Sequence, residues 1–327
     1  MKIYVLKLFC LVGCLLGLQA VHSQVQNETE VRKFVDEMVA KHGFDKSQLL
    51  SEFSQAKISE PILEAISRPA EAKPWYQYRP IFIQDERIRL GAAFMAVHRD
   101  VLREAERQFG VPPEIITAII GVETRYGKNA GNYKVIDSLV TLGFKYPKRG
   151  EFFRSELEQF LLMTREQKLD PQSLKGSYAG AMGIPQFISS SYRNFAIDFD
   201  KDGRIDIWNN PADAIGSVAN YFKEHGWVGG QPVVAMAQVT GIRYKELIDK
   251  NLEPNLTLQQ LSEYSVKAGS AHRPDMVAKL LSYQLESGEQ LWLGFPNFYA
   301  ITRYNHSALY AMAVYQLADE IVRPSRQ

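Results

Sequence analysis

Cysteine is nearly absent. The 327 residues include only Cys10 and Cys14, both within the first 23 residues. The chain beyond them has no thiol nucleophile, disulfide or cysteine-based metal site. An excess of either charge is also missing, with 38 basic against 37 acidic residues and a net charge of +1. Nucleic-acid binding normally needs a strong basic surplus, so that class is set aside. The N-terminal apolar run from Leu8 to Leu18 has 11 residues, short of the roughly 18 needed to span a bilayer. No Gly-Lys-Ser/Thr phosphate loop and no internal repeat occurs. What is present is ordinary globular material, 46% hydrophobic and 23% charged, ample for a sizeable core.

Lys2 and Lys7 precede the apolar run, and Val21-His22-Ser23 precedes Gln24 as a cleavage site. This is the layout of a secretory signal over 1–23, which predicts an exported, periplasmic protein. Its removal leaves 36 basic against 37 acidic residues. A second reading stays open: Leu11-Val12-Gly13-Cys14 has the form of a lipobox, in which Cys14 would be acylated to give an outer-membrane lipoprotein.

Apolar spacing predicts helices within 29–68, one long helix over 85–109, and others from Pro113 and over 151–168, 211–225 and 307–322. Pro74 to Ile83 reads as an extended crossing. Val233 to Val239, Val277 to Gln284 and Leu291 to Ile301 read as strands, with a turn at Glu286 to Glu289. The expected class is mainly α (α+β). The expected divisions are an N-terminal α segment over 24–110, a helical core over 111–228 plus 303–327, and an inserted small β-containing domain over 229–302.

Three stretches carry chemistry. In the Pro113 helix, Ile116, Ile119 and Ile120 mark an apolar stripe that Glu123 extends. A carboxyl on a buried face has a raised pKa, as a general acid requires, although a structural ion pair would occupy the same place. Gly127 is placed to close this helix. Gly176 to Phe187 packs small residues around Ser177 and Gln186, which suits either close approach to a ligand or tight helix packing. Near the end, Arg303-Tyr304-Asn305-His306-Ser307 precedes a helix containing Tyr310, and Asn305 or Ser307 could simply cap it.

Together these motifs resemble the membrane-bound lytic transglycosylase B family of peptidoglycan enzymes. The resemblance rests on Gly-Val-Glu-Thr-Arg-Tyr-Gly at 121–127, Gly176 to Phe187, Asp213 to Tyr221 and Arg303-Tyr304-Asn305, in order from about residue 30 to 322. It implies a lysozyme-like helical core that binds peptidoglycan glycan strands. The bond cut is β-1,4, between N-acetylmuramic acid and N-acetylglucosamine, and a 1,6-anhydromuramic end is left without added water. One carboxylate then suffices: Glu123 protonates the leaving oxygen and afterwards takes the C6 hydroxyl proton, while the substrate's acetamido group stabilises the sugar cation. By the same resemblance Ser177 and Asn305 serve the acetamido group and Glu123. Gln186, Tyr221, Tyr304, Tyr310 and Tyr78 orient sugars. Cell-wall synthesis or remodelling proteins are the implied protein partners. No cofactor is required for the cleavage.

Asp198, Asp200, Asp202 and Asp206, with Gly203, match positions 1, 3, 5, 9 and 6 of an EF-hand loop. Position 12 is Asn209, not the usual glutamate. The resembled family closes a longer loop with an aspartate matching Asp213, but Asn209-Asn210-Pro211 carries one residue more. The candidate ligands are Asp198, Asp200, Asp202, Arg204 and Asp213, for a structural calcium. An acidic surface turn is the bland alternative. Two rival functions remain at this level. One is a hydrolytic muramidase, disfavoured because the nearest downstream acids, Asp137 and Glu151, sit in no motif. The other is a non-catalytic peptidoglycan-binding scaffold, which has no need of Glu123.

Overall fold

The structure, a computed structural model, describes residues 28–67 and 73–323. The signal segment with Cys10 and Cys14 lies outside them. The chain forms two compact units, one ending at Ser54 and the other starting at Gln55.

In the first unit, α1 (Thr29–His42) buries Val31, Phe34, Val35 and Met38, and α2 (Lys46–Gln55) buries Leu49 and Phe53. The Phe34 and Phe53 rings meet edge to face at 6.0 Å. Gly43 ends α1 in a left-handed turn, and Asp45 holds the start of α2 by accepting the Gln48 N–H at 2.7 Å.

The second unit begins with α3 (Glu60–Ile66), α4 (Trp75–Phe82), α5 (Asp85–Val97), α6 (Arg99–Phe109) and α7 (Pro113–Thr124). It continues with α8 (Val135–Lys145), α9 (Gly150–Gln167), α10 (Ser189–Phe195) and α11 (Pro211–Glu224), and ends with α12 (Leu258–Glu263), α13 (Pro296–Tyr304) and α14 (Ala308–Val322). At the centre lies α7. Ile115 to Gly121 are all buried, so the expected stripe is an all-round apolar surface. Helices α5, α6, α11 and α14 pack around it.

Two short strands, β1 (Tyr133–Lys134) and β2 (Lys175–Gly176), pair antiparallel and lead into the Gly176–Phe187 turn. Five more form one antiparallel sheet in the order β4-β6-β7-β3-β5: β3 (Val234–Val239), β4 (Leu256–Thr257), β5 (Val266–Ala268), β6 (Val277–Gln284) and β7 (Glu289–Gly294). One face packs Leu280, Leu293 and Phe295 with Leu261. From the same sheet, Tyr283 docks on the helical body, its ring 5.2 Å from Trp75 and its hydroxyl donating to Ala308 O at 3.1 Å. The mainly α (α+β) expectation is borne out.

Three local expectations are corrected. Residues 75–82 are helical despite Pro80, because Trp75, Tyr78 and Phe82 stack one turn apart and two of them are buried. Tertiary burial outweighs one lost backbone hydrogen bond. The long helix over 85–109 is broken at His98, whose backbone leaves helical geometry. The strand expected over 291–301 stops at Gly294, since Pro296 fits the first position of α13 and cannot donate to a sheet.

Candidate active site

Glu123 stands in the last turn of α7, where outward-facing carbonyls disfavour negative charge. Its side chain is partly exposed but hemmed in by protein on its other sides. Desolvation therefore lifts the carboxyl from 4.5 to about 7, against the opposing hydrogen bond from Tyr310. Among the described residues no charged group contributes to that shift. Asp137 is occupied elsewhere, accepting the Lys57 N–H at 2.9 Å, and Glu151 is exposed. The ion-pair alternative for Glu123 therefore has no support.

Tyr310, buried on α14, donates its hydroxyl to Glu123 Oε1 at 2.5 Å. This leaves Oε2 as the oxygen free to carry a proton outward. Tyr304 is also close enough for Glu123 to perturb it. The Tyr304 hydroxyl donates to Pro185 O at 2.6 Å, and its ring lies 4.7 Å from Tyr221 and 6.0 Å from Phe187. Tyr221 in turn donates to Arg303 O at 2.6 Å and stacks on His225. Tyr221 and Tyr304 thus spend their hydroxyls on backbone carbonyls and join α11, α13 and the Gly176–Phe187 turn into one wall. Tyr78 is buried on α4 between Trp75 and Phe82 and acts electrostatically on Tyr310.

The polar residues keep specific atoms available. Ser177 Oγ accepts the N–H groups of Ala179 and Ala181 at 3.3 and 3.1 Å, so its hydrogen can still be donated. Gln186, left-handed at φ 54°, donates Nε2 to Ala130 O and Gly183 O at 3.0 and 2.9 Å, leaving Oε1 to accept. Asn305 ends α13 in extended backbone, and its side-chain amide makes no hydrogen bond with the described residues. Ser307, not Asn305, caps α14, accepting the Tyr310 N–H at 3.3 Å.

Sequence reasoning gave no role to the lock that seats Glu123. Helix α7 closes not at Gly127 but at Arg125 and Tyr126, both left-handed, at φ 51° and 62°. The Tyr126 ring folds back over Gly121, where an added Cβ would lie 2.6 Å from the ring, and its hydroxyl sits 2.6 Å from the corresponding point at Gly91. That hydroxyl donates to Arg87 O at 2.8 Å. Thr124 Oγ1 donates to Ile184 O at 2.9 Å and accepts the Gly127 N–H at 3.0 Å. A glycine inside an apolar helix, followed five residues later by tyrosine, was the available signal.

The acidic loop is preorganised. Asp198, Asp200 and Asp202 present carboxylate oxygens within 4.8 Å of one another. Asp198 also accepts the N–H groups of Asp202 and Gly203, and Asp202 that of Arg204. Asp213 is buried at the start of α11, its two oxygens accepting Phe199 N–H and Asp206 N–H at 2.8 and 2.7 Å. It braces both sides of the loop. The additional residue, Asn210, caps α11 and donates to Asp200 at 2.8 Å. An all-oxygen, multi-carboxylate set of this kind fits calcium.

The sequence profile described as the transglycosylase SLT domain matches residues 26–319. The chain is 44% identical over 307 residues to membrane-bound lytic murein transglycosylase B of Escherichia coli K12, covering 90% of this chain and 83% of that protein. The structure of catenated lytic transglycosylase SltB1 from Pseudomonas aeruginosa matches with a TM-score of 0.88 and 51% identity, over 91% of this chain and 98% of that one. The Escherichia coli lytic transglycosylase Slt35 in complex with calcium matches with a TM-score of 0.83 and 44% identity, over 90% and 93% of the two chains. With the match spanning both the lysozyme-like helical body and every motif around Glu123, the chain belongs to the transglycosylase SLT domain family.

Proposed function

We propose that this peptidoglycan lytic transglycosylase cuts the β-1,4 bond between N-acetylmuramic acid and N-acetylglucosamine with Glu123 as its single acid and base, leaving a 1,6-anhydromuramic end. The observation that carries the reading is a desolvated Glu123 carboxyl, held by Tyr310, on which no second carboxylate acts. Most glycosidases that use water employ a second carboxylate as base or nucleophile.

In its protonated form, which a carboxyl titrating at about 7 still populates at neutral pH, Glu123 Oε2 gives its proton to the leaving glycosidic oxygen. The Ser177 hydroxyl and the Asn305 amide are free to hold the acetamido group, whose carbonyl stabilises the cationic C1. Ionised Glu123 then takes the proton of the C6 hydroxyl as that oxygen attacks C1 and closes the anhydro ring. The proton lost in the first step is recovered in the second, so the site is reset without water. Acid–base placement of this kind contributes about 10²–10⁴-fold in rate.

Asp198, Asp200 and Asp202 would hold a calcium ion, with the backbone carbonyl of Arg204 and the Asp213 carboxylate completing the candidate set. The ion would clamp the loop ahead of α11 and take no part in bond cleavage. In the described residues no helix is long and apolar enough to cross a membrane. Export to the periplasm by the 1–23 signal, or anchoring through Cys14, is separated by the mass of the mature N-terminus. Cell-wall synthesis or remodelling proteins are the proposed partners.

The test is digestion of purified peptidoglycan with the mature protein and with Glu123→Gln, read by mass spectrometry. Fragments one water lighter than reducing forms, absent with the variant, are expected. Reducing-end fragments would establish a hydrolase instead.

A further inference from the structure

A cleft of about 880 Å³ lies on the second unit, lined by the end of α9, the approach to β2 and the second half of the acidic loop. Its charged groups are unequally committed. Glu166 pairs with Arg193 at 2.6 Å, and Asp206 accepts the N–H groups of Trp208 and Asn209 at 2.9 Å. Lys168, Lys175 and Arg204 line the same cleft, and the side chain of none of them has an ion pair or hydrogen bond with the described residues. Trp208, partly exposed, packs on Tyr192 at 5.7 Å and donates its indole N–H to Lys175 O at 3.3 Å, tying two walls together.

This cleft is contiguous with the elements around Glu123. Lys175 precedes Gly176 and Ser177 on β2. Ile207, next to Trp208, accepts the Ile184 N–H at 2.8 Å, and Ile184 O receives the Thr124 hydroxyl. An added Cβ at Gly183 would lie 2.5 Å from Ile207 O, so the turn and the loop wall are in direct backbone contact. The cleft and the turn beside Glu123 therefore share one backbone scaffold.

We propose that the cleft binds the carboxylate-bearing peptide stem of peptidoglycan, with Lys168, Lys175 and Arg204 meeting its carboxylates and Trp208 its aliphatic body. The inference rests on the peptidoglycan reading above. In a stemmed strand N-acetylglucosamine is neutral and the muramic carboxyl is consumed in the amide to the peptide, so the sugars themselves offer three free cations no partner. The stem brings several carboxylates, and the cleft has the volume of a site for a ligand of that size.

The experiment compares the wild type with the Lys168→Gln, Lys175→Gln double variant on two substrates: glycan strands carrying peptide stems, and the same strands freed of peptide by an amidase, with the lactyl carboxyl this releases capped as its methylamide. Two exposed charge pairs are removed, so the ratio of kcat/KM on stemmed to peptide-free strands is expected to fall about five-fold. In parallel, the free tetrapeptide L-alanyl-γ-D-glutamyl-diaminopimelyl-D-alanine is titrated into the wild type. Its expected signature is a shift of the Trp208 indole ¹H–¹⁵N signal, lost in the double variant. An unchanged substrate ratio, or no indole shift at millimolar peptide, overturns the proposal while leaving the transglycosylase reading intact. A shift reproduced by inorganic phosphate at equal concentration also overturns it, as general anion binding. If the wild type cleaves neither substrate, the parent reading falls and takes this one with it.

Discussion

Replacing Glu123 by glutamine should stabilise the protein, and the gain should depend on pH in a defined way. The Glu123 carboxyl titrates at 4.5 in the unfolded chain and at about 7 in the fold. That difference of about 2.5 units corresponds to about 3 kcal/mol at roughly 1.36 kcal/mol per unit. Between the two values the folded state holds a proton that the unfolded state has released. Folding stability contributed by this group therefore falls as pH rises through the window, is fully penalised above about 7, and carries no penalty below 4.5. Glutamine has no such titration and still offers an oxygen to Tyr310. In urea unfolding, Glu123→Gln should exceed the wild type by up to about 3 kcal/mol at pH 8 and match it closely at pH 4. Other carboxylates titrate equally in both proteins and cancel in the difference. A gain that is the same at both pH values, or absent from both, would refute the claim that Glu123 is desolvated, and with it the argument that it is poised as a general acid. The same variant should lose turnover by about 10²-fold or more.

In the wild type, kcat/KM should decline above about pH 7 as Glu123 ionises; in Tyr310→Phe, where the hydrogen bond that lowers its pKa is gone, that limb should move to higher pH while kcat falls. Gly121→Ala drives a Cβ to 2.6 Å from the Tyr126 ring and should cost about 1–3 kcal/mol in chemical denaturation. Calcium should raise the melting temperature, with about 2.7 kcal/mol of added stability at a hundredfold excess over Kd. Asp200→Asn should weaken that response, and calcium should leave the kcat of the folded enzyme unchanged.

The sequence made the helices legible where a start signal stood before an apolar run, as with Pro113 in Pro113–Thr124 and Ser307 ahead of Ala308–Val322. It misled where a single residue overruled the pattern. Pro80 suggested an extended crossing, yet aromatic burial at Trp75 and Tyr78 decides for helix. Pro296, set within an apolar and aromatic run, marks a helix start instead. At the site, the family resemblance rather than residue type or spacing singled out Glu123, Ser177, Gln186 and Asn305; spacing alone left an ion pair, tight packing or a helix cap open. The division of labour among the tyrosines was not legible, because it depends on which atom faces which. Tyr310 reaches Glu123 itself, whereas Tyr221 and Tyr304 give their hydroxyls to the carbonyls of Arg303 and Pro185. A tyrosine with its hydroxyl already bound to backbone fixes a wall; one that donates to the Glu123 carboxyl sets its proton affinity. Substitution by phenylalanine should therefore separate them. Loss at Tyr221 or Tyr304 should appear mainly as lowered stability, and loss at Tyr310 as a displaced pH profile.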